Sequence, residues 1–79
     1  MQGVYKYIRR IELIHKLIEA EKTGISRDFA KKVGISRSLL MEHLRELRGD
    51  FNAPIEFCKK RQTFFYSKPF SIRIIISSK

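Results

Sequence analysis

Apolar residues recur at three- and four-residue steps through Val4, Tyr7, Ile8, Ile11, Ile14, Leu17 and Ile18. Lys6, Arg9, Arg10, Glu12, Lys16 and Glu19 lie between them. That period predicts a helix over residues 4–21 with one buried stripe. Glu12 stands four residues before Lys16, the favourable order for a pair worth a few tenths of a kcal/mol. Gly24 supplies a stop, because glycine enters the left-handed region without a Cβ penalty.

A second pattern spans 26–33, with Phe29, Ala30 and Val33 inward and Ser26 placed as the N-cap. Asp28 falls in the first turn, where its charge suits the helix dipole. Ala30 matters by its size, since a small residue lets the next helix cross close by. Gly34 permits the positive φ of a sharp turn, and Ile35 fills the angle behind it. Ser36 then caps a third helix over 36–48, with Leu40, Leu44 and Leu47 on one face and Met41 at its edge. Two short helices around a tight turn have the layout of a helix-turn-helix. At 1.5 Å per residue the third helix is ~20 Å long, enough to lie in a major groove ~12 Å wide.

After turn chemistry at Gly49-Asp50-Phe51-Asn52 the period changes to two. Ile55-Glu56-Phe57-Cys58 and Thr63-Phe64-Phe65-Tyr66 read as strands joined by a polar link and stopped by Pro69, a hairpin wing over about 54–68. A third β-like run covers 70–77, with Phe70, Ile72, Ile74 and Ile76 on one face. The expected fold is therefore α+β: a single winged helix-turn-helix domain over 1–79, with three helices, a β-hairpin wing and a short C-terminal strand.

Charge adds a partner. Lys and Arg number 17 against 8 Asp and Glu, a net +9. Residues 51–79 hold Lys59, Lys60, Arg61, Lys68, Arg73 and Lys79 against Glu56, net +5, while residues 1–25 and 26–50 each carry +2. Such a surface attracts polyanions through phosphate contacts and counterion release. The single cysteine, Cys58, can form no internal disulfide and fits a cytoplasmic chain. No signal peptide and no apolar run near the ~20 residues of a membrane span is visible.

Arg9-Arg10-Ile11, Ala30 four residues before Gly34, and Gly34-Ile35-Ser36-Arg37 resemble the helix-turn-helix of bacterial transcription regulators of the DeoR-like and WYL-type group. Ala53-Pro54-Ile55-Glu56-Phe57, Lys60-Arg61 and Phe64-Phe65-Tyr66 resemble the wing of the WYL-type members. The likeness covers residues 5–70. It implies a transcriptional regulator that binds double-stranded DNA in a sequence-specific way. Members commonly carry a basic residue where this chain has Ser38, and often Arg where it has Glu42. They usually continue into a ligand-sensing domain, whereas this chain stops at Lys79, as either a stand-alone small regulator or a fragment would, and small-molecule effector sensing is not carried over.

At 100° per residue, Ser38, Glu42 and Arg45 point away from the core of the third helix, with Arg37 and Met41 at its borders. These residues, with Ser36 at the N-terminus, are the set expected to meet base edges and phosphates. Arg37 or Arg45 can fork onto a guanine, and Ser36 with its neighbouring N–H groups suits a phosphate. Glu42 would either accept from a cytosine amino group or repel the backbone. Lys59, Lys60 and Arg61 at the wing tip are expected on a phosphate strand or in the minor groove. Arg9 and Arg10 would add backbone contacts, while Lys31 and Lys32 form either a contact or a solvated face. Phe64, Phe65 and Tyr66 read as core packing ahead of a stacking platform for single strands.

His15, His43 and Cys58 have neither metal-ligand nor catalytic spacing, and no Gly-rich phosphate loop occurs. No enzyme, metal or cofactor is expected. The apolar run Ile72 to Ile76 is expected to add a strand or to pair two copies into a homodimer. The competing expectation is a winged-helix module that binds protein and does not read DNA. Glu42 and Glu46 on the third helix motivate it.

Overall fold

The computed structural model describes residues 2–71. Three helices, α1 Gln2–Ala20, α2 Ser26–Val33 and α3 Arg37–Asp50, precede two strands, β1 Ile55–Cys58 and β2 Thr63–Tyr66. The strands form an antiparallel hairpin in which Ile55 faces Tyr66 and Cys58 faces Thr63. This α+β arrangement is compatible with a winged helix. No helix among the described residues is long and apolar enough to cross a membrane.

One core joins all five elements. Ile11, Ile14 and Ile18 of α1 meet Phe29 and Ala30 of α2, Leu40, Leu44 and Leu47 of α3, and Ala53, Ile55 and Phe64 of the hairpin. Each fully buried aliphatic or aromatic side chain here contributes about 1.5–3 kcal/mol of transfer free energy. Phe64 stacks at a tilt on Phe29, with ring centroids 5.5 Å apart, so β2 is fastened to α2 through the centre.

A polar lock reinforces that seam. Phe64 N–H donates to Thr23 Oγ1 at 2.8 Å, and Thr23 N–H donates to Thr63 Oγ1 at 3.2 Å. Both threonines are buried, so either hydroxyl would be costly to leave without a partner. The exchange ties the α1–α2 loop to β2 across forty residues of sequence.

Several boundaries differ from the pattern. α1 ends at Ala20, not at Gly24: Glu21 takes φ 57°, Glu21 N–H bonds Ile18 O, and Lys22 N–H bonds Leu17 O. A Schellman motif thus closes the helix without glycine, and Gly24, at φ 75°, shapes the loop beyond. Val4 and Tyr7 lie on the expected stripe but are 58% and 41% exposed, because the first turns of α1 run past the core. Glu12 and Lys16 form no ion pair; among the described residues the four-apart ionic contact on α1 is His15 with Glu19 at 3.8 Å.

Ser26 is not the cap of α2. Extended Ile25 holds that position without a side-chain bond, and Ser26 is the first helical residue. Gly49 and Asp50 continue α3, and the turn falls on Phe51 and on Asn52 at φ 54°. Of the strand expected over 70–77, Phe70 and Ser71 are not in a strand. Phe70 instead packs against Tyr66 and His15, at ring distances of 5.0 and 6.2 Å. Residues 72–77, and with them the pairing of two copies through this run, lie outside the described residues.

Candidate nucleic-acid interface

The turn between α2 and α3 is built as its sequence requires. Gly34 sits at φ 83°, its N–H bonding Ala30 O and Lys31 O, while Ile35 N–H also bonds Ala30 O at 3.1 Å. A side chain at Gly34 would meet open space, so the positive φ alone explains glycine there. Ala30 and Phe29 are buried beneath the turn, and Ile35 packs on the core as a half-buried plug.

Ser36 caps α3: its Oγ accepts from Leu39 N–H at 3.1 Å. The next residues, Arg37 and Ser38, are exposed, and Met41 is 36% exposed. The first turn of α3 holds no carboxylate. Arg37 Nε donates to Ser26 Oγ at 3.0 Å, which is what the misplaced cap residue does instead. That bond leaves the terminal nitrogens of Arg37 on an exposed helix end, beside unsatisfied backbone N–H groups. An anion is favoured there by charge and by donor geometry together.

The other end of α3 has the opposite character. Glu42, Arg45, Glu46 and Asp50 line one open hollow of about 370 Å³. Arg45, expected to meet bases, shares that hollow with three carboxylates and is in an ion pair with none of them. Tyr7 OH donates to Glu46 Oε1 at 3.2 Å, fixing that carboxylate against α1. Burial, then the charge and hydrogen bond of Glu46 and the charge of Asp50, raise the Tyr7 hydroxyl above the ordinary tyrosine range. His43, far from His15 in the sequence, is buried beneath, its ring edge-on to Tyr7 at 5.5 Å and its Nδ1 3.4 Å from Glu46 Oε1. Among the described residues His43 Nε2 is buried without a hydrogen-bond partner. Arg48 turns away to donate from Nε to Ile55 O at 3.2 Å, bracing α3 against β1.

The hairpin carries residues 59–62 at its tip, with Gln62 at φ 53° closing the turn. Lys59 and Lys60 are exposed. Arg61 is not free: it pairs with Glu21 and lies over the Phe65 ring, 5.7 Å from its centroid. It anchors the tip to the end of α1. The Arg61 backbone N–H, 3.5 Å from Cys58 Sγ, contributes most to pulling that thiol below its ordinary range. Phe64 is core and Phe65 is half-buried under Arg61, so the aromatic strand packs rather than presenting open rings.

Arg9 and Arg10 do not join either set. Both line a groove between α1 and the α2–α3 turn, where Arg9 lies over the Tyr5 ring at 5.6 Å. Lys32 bonds the Lys22 carbonyl at 2.6 Å, which gives it a structural role, while Lys31 stays solvated. Among the described residues no group of three or more His, Cys, Asp or Glu is arranged to hold a metal ion.

No family model matches the chain, and no curated protein or solved structure matches it significantly.

Proposed function

We propose that this protein is a winged helix-turn-helix regulator that binds double-stranded DNA in a sequence-specific way, and that it catalyses no reaction. The N-terminal end of α3 enters the major groove, and Lys59 and Lys60 hold the phosphate backbone or the minor groove. The observation that carries this reading is the carboxylate-free start of α3, where Ser36, Arg37, Ser38 and Met41 are presented by a tight turn above a rigid core. Arg37 is the base-reading cation in this account. Arg45 is demoted by its three acidic neighbours, and Arg61 by its pair with Glu21.

A salt titration of binding to a duplex pool tests it. With Lys59, Lys60 and the α3 N-terminus as phosphate contacts, log K should fall against log salt with a slope of about −2 to −3. Sequencing the retained duplexes should return an enriched motif. No measurable affinity at low salt would overturn the proposal.

One observation favours a second reading. The hollow of Glu42, Glu46 and Asp50 around Arg45 repels phosphate and suits a basic protein surface. In that case α3 serves a protein partner, and duplex binding is absent at any salt concentration.

A further inference from the structure

The groove beside α1 has a chemistry that neither DNA nor the α3 face uses. It encloses about 580 Å³ between α1 and the α2–α3 turn. Lys6, Arg9, Arg10 and Lys16 line it against one carboxylate, Glu12. Among the described residues none of these four cations is in an ion pair; the pairs fall to His15, His43 and Arg61. Between the charges lie Leu13, which is 38% exposed, and the half-buried Val33 and Ile35.

A phosphate backbone would use the cations but has only its sugar C–H groups, and no aliphatic side chain, to set against Leu13, Val33 and Ile35. A small anionic ligand needs convergent polar groups in a sheltered cleft, whereas Lys6, Arg9 and Lys16 stand exposed along an open trough. An amphipathic helix satisfies both halves of the lining at once: aliphatic side chains cover the apolar strip and acidic ones meet its basic borders.

We propose that this groove docks an acidic amphipathic helix of a partner protein. Leucine-type side chains three and four residues apart pack on Leu13, Val33 and Ile35. Aspartates or glutamates on the flanks face Lys6, Arg9, Arg10 and Lys16. The groove ends at Ile35, next to the Ser36 cap, so the docked helix lies beside the proposed DNA-reading end without depending on it.

The probe is a fluorescent helical peptide with Leu at i, i+3, i+4 and i+7 and Glu elsewhere, read by anisotropy. A scrambled peptide of equal composition keeps the charge and loses the stripe. The scrambled peptide should bind about tenfold more weakly, and Lys6→Glu with Lys16→Glu should weaken the designed peptide about tenfold. Leu13→Ser should weaken it about fivefold. All three positions are exposed, and circular dichroism checks that the variants fold. On wild-type protein, amide shifts should move at Leu13, Val33 and Ile35 and not at Lys60. Arg37→Ala and Lys60→Ala should leave peptide binding unchanged, which separates this proposal from the DNA reading. Equal binding of the scrambled peptide, indifference to Leu13→Ser, or no binding at millimolar peptide overturns it. So does a result in which the double reversal weakens only duplex binding, since the groove would then be a phosphate surface.

Discussion

The two ends of α3 share one helix and one buried face, yet they differ in kind. The start is capped and free of carboxylates, and it exposes Ser36, Arg37, Ser38 and Met41. The finish gathers Glu42, Glu46 and Asp50 around Arg45, with Tyr7 and buried His43 holding Glu46 in place. Over its length the three arginines and three carboxylates of α3 cancel, and the sum conceals the division. Helix dipole and side-chain charge favour an anion at one end and discourage it at the other. A duplex laid along α3 would therefore favour its N-terminal end.

Removing what the two ends have in common should have the largest effect. Leu44 is fully buried between them. Leu44→Ala should cost about 2–5 kcal/mol in urea unfolding, and duplex binding should fail together with the fold. A loss well under that range would mean that α3 is not held by this core. Next in size is a direct contrast of the arginines. Arg37→Ala should weaken specific duplex binding by about 1–3 kcal/mol with thermal stability little changed. Arg45→Ala should weaken it far less, and the reverse order would invert the comparison.

A smaller effect belongs to the cap that shapes the start of α3. Ser36→Ala should lower stability by about 1 kcal/mol, measured by thermal unfolding. The smallest concerns the base of the wing, where Tyr66 OH lies 2.7 Å from His15 Nδ1. Burial, with the Glu19 charge adding to it, pushes the Tyr66 hydroxyl well above the ordinary tyrosine range. In the unfolded chain it ionises near pH ~10, while in the folded chain it stays neutral. The stability it contributes is whole below about pH 10 and is lost as the pH climbs beyond. Tyr66→Phe should flatten the alkaline unfolding curve, and an unchanged curve would remove this residue from the account.

The elements that depend on neighbours in sequence were legible. The Gly34 turn, the Ser36 cap, the Leu40, Leu44 and Leu47 face and both strands follow from local chemistry and period. Features set by distant residues were not. The periodicity of α1 marks which face is apolar, but not that the core ends before Val4 and Tyr7. Ser26 has the chemistry of a cap, yet Ile25 takes the extended position and the hydroxyl meets Arg37 across the turn. The pair between Arg61 and Glu21 spans forty residues, as does the lock between Thr23 and Thr63. The first removes a cation from the expected wing contacts. The acidic hollow is half visible in the sequence: Glu42 and Glu46 lie on the periodic helix, whereas Asp50 has turn chemistry and is the last residue of α3.

Backbone amide shifts recorded while a selected duplex is added separate the two ends of α3. The largest changes are expected at Ser36 to Met41 and at Lys59 and Lys60, with Glu46 to Asp50 nearly still. Changes centred on Glu46 to Asp50, or no changes on α3 at all, would contradict this expectation.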